Sequence, residues 1–159
     1  MEKKVLRIGS PFDAVNLLDK WKSKKQENFL AITLNAAHEV IKIHHVTKGL
    51  VNRTLAHPRE CFFPVIKDLA TAVIFAHNHP SGNVYPSNED LDCANTLNMA
   101  GQILGIKILD HLIITEERKY YSFRENDKII EKFEDKEIKA FVAEVSSNNI
   151  KDERDGNNN

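Results

Sequence analysis

Apolar residues recur at helical spacing after Ser10-Pro11: Phe12, Val15, Leu17, Leu18 and Trp21 predict an amphipathic helix from about Ser10 to Ser23 that ends in the lysine cluster Lys20 to Lys25. The pattern then shortens. Phe29 to Leu34 and Val40 to Val46 are compact runs rich in β-branched residues, and the polar turn Asn35 to Glu39 between them predicts a hairpin closed by Gly49. Pro58 to Leu69 reads as helical despite Pro64, with Phe62 and Phe63 assigned to the core. Ala70 to Ala76 is an apolar run of strand length, expected to be buried on both faces.

A third helix starts where Ser87 can serve as N-cap with an acid three positions on, and Leu91, Ala94, Leu97, Ala100, Ile103 and Leu104 carry its apolar face until Gly105. Ile106 to Thr115 and Tyr120 to Phe123 predict a further hairpin through a turn at Glu116 to Lys119. Helical periodicity resumes from Asp127 to about Val145 (Ile129, Ile130, Phe133, Ile138, Phe141, Val142), and the polar remainder, 146–159, is expected to be disordered. Strands and helices alternating in this order predict an α/β or α+β fold with a mixed sheet covered by helices.

With 159 residues, 42% of them hydrophobic and 28% charged, the chain has the size and balance of one globular domain. No run reaches the roughly 20 apolar residues of a membrane span, and the N-terminus lacks a signal-peptide core, so a cytoplasmic location without membrane partners is expected. Cys61 and Cys93 form no C-x-x-C pair. A disulfide framework or cysteine-rich zinc finger is therefore not expected, and a metal here would have to use histidine and carboxylate. The net charge of -1 provides no general attraction to nucleic-acid phosphates.

Candidate chemistry concentrates in residues 77 to 90, HNHPSGNVYPSNED. On an extended chain, His77 and His79 point the same way, and the helix beginning after Ser87 can return Asp90 toward them. Two nitrogens, one oxygen and an open fourth position form the arrangement typical of catalytic zinc. The structural alternative is a polar turn in which Ser87 and Asp90 are only a capping pair. His38, His44 and His45 read as surface residues.

The spacing H-x-H-x7-S-x2-D, fulfilled by His77, His79, Ser87 and Asp90, matches the JAMM signature of the JAB1/MPN metallopeptidases. The segments HPRECF, AHNHPSG, PSNED, LGIKILDHLIIT and YSFRE resemble more closely the RadC-like branch of that superfamily, once named as DNA repair proteins. The resemblance covers about residues 10–125. It implies a single JAB/MPN-type domain, cytidine-deaminase-like in fold, preceded by a short segment (1–9) and followed by a C-terminal helix (126–145). The helix-hairpin-helix region usual in that family finds no room before Ser10, so a stand-alone JAB domain is expected.

Carried over residue by residue, the resemblance makes His77, His79 and Asp90 the ligands of Zn2+. It makes Ser87 the hydroxyl that steadies the reacting oxygen and Glu27 the general base, with Glu60 as rival. His111, Asp110 and His57 are expected to orient a ligand by hydrogen bonding. The implied activity is zinc-dependent hydrolysis of a peptide, isopeptide or other amide bond through a zinc-activated water. The alternative is a non-catalytic or weakly catalytic metal-binding module that acts in DNA repair or recombination by binding a partner or a nucleic acid. The expected partner is a peptide or amide substrate, and nucleic acid enters through the family name alone.

Overall fold

The computed structural model describes residues 5–49, 56–117, 119–130 and 132–155, with side chains described for all of these except 145 and 148–155. Helix α1 (Pro11–Leu17) starts at Ser10, whose hydroxyl accepts the Asp13 amide proton while the Asp13 carboxylate accepts the Ser10 N–H. This reciprocal pair satisfies two of the amides that a helix start leaves open. The predicted single helix breaks at Leu18, and a short α2 (Asp19–Lys22) follows.

Strands β1 (Asn28–Leu34) and β2 (Val40–Lys48) form the expected hairpin, with His38 in the left-handed region at φ 59° in the turn. After α3 (Pro58–Lys67) come β3 (Ala72–Asn78), α4 (Asn88–Leu104), β4 (Lys107–Ile114) and β5 (Tyr120–Ser122). The five strands lie in the order β2-β1-β3-β4-β5. Only β3 and β4 are parallel, joined by the crossover through α4. The Tyr120 strand pairs with β4 as expected, although part of the predicted turn, Arg118, lies outside the described residues.

The central strands β1 and β3 are buried at every position because helices cover both faces. Phe29, Ala31, Val73 and Phe75 face α3 and α4, meeting Phe62, Val65 and Leu97. Leu30, Ile32, Leu34, Ile74 and Ala76 face the other way and pack on Ala14, Val15 and Leu18 of the first helix. The side chains facing α3 and α4 include His77, so period-two alternation aims the histidine pair at the layer holding α4. Phe62 is buried as expected, but its neighbour Phe63 is 66% exposed on the outer side of α3.

The C-terminal part departs from the reading by periodicity. Helix α5 (Asp135–Asp155) starts later than Asp127 and continues through residues 146–155, which composition marked as disordered. Ile129 and Phe133 suggested helical spacing, yet they answer tertiary contacts: Ile129 packs near Ala94, Ile113 and Phe123, and Phe133 is buried. The backbone around Phe133 is held by one side chain of α4, since Phe133 N–H donates to Gln102 Oε1 and Gln102 Nε2 donates to the Phe133 carbonyl.

Candidate metal centre

Strand β3 carries His77 at its penultimate position, and the chain stays extended through His79, whose N–H donates to the Ile114 carbonyl of β4 at 3.0 Å. Both imidazoles therefore lie on the α4 side. Gly82, at φ 81°, allows the turn that follows. Helix α4 then begins with a capping box: the Asp90 amide donates to Ser87 Oγ at 3.1 Å, and the Ser87 amide donates to Asp90 Oδ2 at 2.8 Å. The cap directs the Asp90 carboxylate back toward the histidines.

The three groups meet. His77 Nε2 lies 3.0 Å from His79 Nε2 and 3.1 Å from Asp90 Oδ1, and His79 Nε2 lies 3.3 Å from Asp90 Oδ2. Four ligands on a tetrahedron with bonds of about 2.05 Å stand roughly 3.3 Å apart, so these separations suit one small ion. His79 Nδ1 is 2.7 Å from the Asn83 carbonyl, an acceptor, so the neutral ring carries its proton there and turns the Nε2 lone pair toward the cluster, while the protonated ring also donates from Nε2 to Asp90. Asn83 was not among the residues expected from sequence, because a backbone carbonyl in a loop carries no side-chain signal.

Glu27, one residue ahead of β1, completes the group. The antiparallel register pairs Phe29 with His77, and their rings stack at 6.0 Å. Continued by two residues, the same register sets Glu27 across from His79 on the same face. Glu27 Oε1 lies 3.8 Å from His77 Nε2, and one ligand atom from each of Glu27, His77, His79 and Asp90 lies within 4.8 Å of the others. Glu60 is not in this group; it is exposed in the first turn of α3.

The electrostatics follow from this crowding. Burial pushes the Glu27 carboxyl above its ordinary value, only partly countered by the two histidines. Burial would also raise Asp90, but bonds from both imidazoles and the Ser87 amide outweigh it and hold that carboxyl well below the usual range. Burial would lower His79, and the bonds to Asp90 and to the Asn83 carbonyl reverse this and raise it. Two imidazoles and two carboxylates thus present nitrogen and oxygen donors to a single point.

Three residues expected to orient the ligands serve other groups. His57 caps α3, its Nδ1 accepting the Arg59 amide. His111 lies behind the cluster, in the same small cavity as His77 and Asp90, but its Nε2 is 2.9 Å from Asn98 Oδ1. Burial holds its pKa down to about 3. Asp110 accepts from Ser122 Oγ at 2.5 Å and from the amides of Arg124 and His111. A register shift in β4 explains the difference: Val73 pairs with Ile108 but Ile74 with Asp110, and Arg124 donates to the carbonyls of Leu109 and Ile108 at this irregularity. The Asp110 carboxylate thus ties the β4–β5 corner together. His44, expected at the surface, is mostly buried and lies 2.6 Å from Asp68, which also accepts from Thr33 Oγ1.

A mixed five-stranded sheet between helices, with a His/Asp/Glu cluster at the strand ends, defines a JAB-like α/β domain with a group of side chains that could hold a metal ion. Comparison with known proteins agrees: the model of the RadC-like JAB domain matches residues 8–129, and the chain belongs to that family. It is 48% identical over 117 residues to a UPF0758 protein of Methanospirillum hungatei, a match covering 72% of this chain and 52% of the relative. It is 45% identical over 120 residues to a UPF0758 protein of Alkaliphilus metalliredigens, covering 75% and 51%. The chain spans about half the length of the curated relatives it matches. No helix among the described residues is long and apolar enough to cross a membrane.

Proposed function

We propose that His77, His79 and Asp90 hold a zinc ion and that the domain hydrolyses a peptide, isopeptide or other amide bond. The observation that carries this reading is the convergence of two imidazole nitrogens and a carboxylate at 3.0 to 3.3 Å, with Glu27 beside them. Zinc, when bound, supplies Lewis acidity and lowers the pKa of water towards ~7.

The residues of the chain then divide the remaining work. The Glu27 carboxylate accepts a proton from the attacking water and returns it to the leaving amine. Burial raises this carboxyl above its ordinary value, the direction that strengthens it as a base. Ser87 Oγ spends a lone pair on the Asp90 amide and keeps its own proton, which donates to the carbonyl oxygen as negative charge develops there. His79, fixed through Asn83, and Asp90, fixed through the helix cap, enter the reaction already oriented.

The test is cleavage of peptide and isopeptide libraries by zinc-loaded protein, with Glu27→Gln alongside. Cleavage by wild type and a loss of about 10²–10⁴ in the variant is the expected result. Stoichiometric zinc without cleavage of any amide would leave a metal-binding module and overturn the hydrolase reading.

A further inference from the structure

Between the two histidines stands Asn78, whose side chain points away from them, as strand alternation requires, and is completely buried. An amide in that position has to find partners, since a buried polar group left unpaired is strongly destabilising. It finds them all in the segment that carries Glu27. Asn78 Oδ1 accepts the Asn28 N–H at 2.7 Å, and Asn78 Nδ2 donates to the carbonyls of Lys24 at 3.1 Å and Gln26 at 3.0 Å. Asn28 Nδ2, itself buried, adds bonds to the Gln26 carbonyl at 2.7 Å and to Asn78 Oδ1 at 3.3 Å. The backbone on both sides of Glu27 is therefore tied to the histidine strand by one side chain rooted between His77 and His79.

The arrangement does what the β1–β3 ladder cannot. The β1–β3 register ends at Phe29 and His77, so residues 24–28 have no ladder on the β3 side. On the other side Asn28 still pairs with Lys48 of β2, and the Glu27 carbonyl accepts the Gly49 N–H at 2.7 Å. Asn78 replaces the missing ladder with side-chain bonds, and a shift of the His77–His79 strand would carry Glu27 with it. We propose that Asn78 is a positioning residue that fixes Glu27 relative to the histidine pair, an inference that rests on the hydrolase reading given above. Asn78 touches no reacting atom. Its oxygen and nitrogen serve opposite partners, so no other residue of the same size reproduces both.

The experiment compares full-length wild type, Asn78→Asp, Asn78→Ala, Asn28→Ala and Glu27→Gln by zinc stoichiometry, amide hydrogen exchange and cleavage of whichever library peptide wild type cuts. Asn78→Asp keeps the volume and the acceptor but sets an oxygen against the Lys24 and Gln26 carbonyls. Exchange of the Asn28 amide is expected to rise roughly tenfold or more in both Asn78 variants and less in Asn28→Ala, with protection of Leu30 to Leu34 retained. Zinc stoichiometry should be unchanged. Turnover should fall with KM within about twofold, and Asn78→Asp should cost nothing more in a Glu27→Gln background, where a purely structural role would add its own loss. Zinc-free wild type would overturn the metal reading. With zinc bound, unchanged exchange at 24–28, full additivity with Glu27→Gln, or loss of protection throughout the sheet would overturn the positioning role alone.

Discussion

Ser87 and Asp90 cap each other, each accepting the other's backbone N–H, at 3.1 and 2.8 Å, while the same Asp90 carboxylate faces both imidazoles. Helix initiation and ion binding therefore share one side chain, and substitutions can separate them. Asp90→Asn keeps an acceptor for the Ser87 amide but loses the charge that faces both imidazoles, so it should bind no zinc and, metal-free, lose more stability than Ser87→Ala. Ser87→Ala should cost about 1 kcal/mol and still bind zinc. Urea denaturation and metal analysis of the two variants check both halves.

The metal-free cluster has a pH window set by its own shifts. His79 is raised above 6.5, so its contribution to stability is present below that pH and lost as pH rises through the folded value. Asp90 is depressed below 3.8, so its contribution is present above that pH and lost as pH falls through the folded value. The imidazole–carboxylate pair thus stabilises the metal-free protein best between those limits. Zinc competes with the proton on His79, so chelator competition should show tighter zinc binding at pH 8 than at pH 6. An affinity independent of pH would speak against imidazole ligation.

His111 titrates in the opposite sense. Its folded pKa of about 3 lies below the ordinary 6.5, so the stability of keeping it neutral is present above 6.5 and lost as pH falls toward 3. Through that interval a single proton contributes a slope of about 1.4 kcal/mol per pH unit. His111→Gln, neutral throughout, should show a shallower acid dependence of urea stability than wild type, and equal slopes would refute the assignment.

Gly101 sits where α4 meets the start of β4. An added Cβ would stand 2.9 Å from the Ile106 carbonyl oxygen, a backbone atom, and 3.3 Å from Ile108 Cδ1. Gly101→Ala should therefore destabilise by roughly 1–3 kcal/mol despite the better helix propensity of alanine. Thermal denaturation would show it, and a stabilised variant would contradict the close packing.

Much of this architecture is legible from periodicity. The apolar run before His77, the Ser87 start and the Gly105 stop are local signals, and each defines its element because no distant contact has to override it. What escapes is set by register. Glu27, named through the family resemblance and not through periodicity, reaches the cluster because Phe29 pairs with His77, and Asn78 grips its neighbours for the same reason, which no single strand reveals. Asp110 and His111 look like partners of the ligands until the irregularity in β4 turns their bonds to Ser122, Arg124 and Asn98. The late start of α5 has a similar origin, since Gln102 captures the backbone at Phe133 in place of a helical turn.

The central claim is that His77, His79 and Asp90 hold one zinc ion. X-ray absorption at the zinc edge, on protein loaded with one equivalent and on His77→Ala, tests it most directly. Two imidazole nitrogens at about 2.0–2.1 Å with oxygen completing a four-coordinate shell, and loss of one imidazole in the variant, is the predicted result. Failure of wild type to retain zinc, or a shell unchanged by His77→Ala, would contradict it.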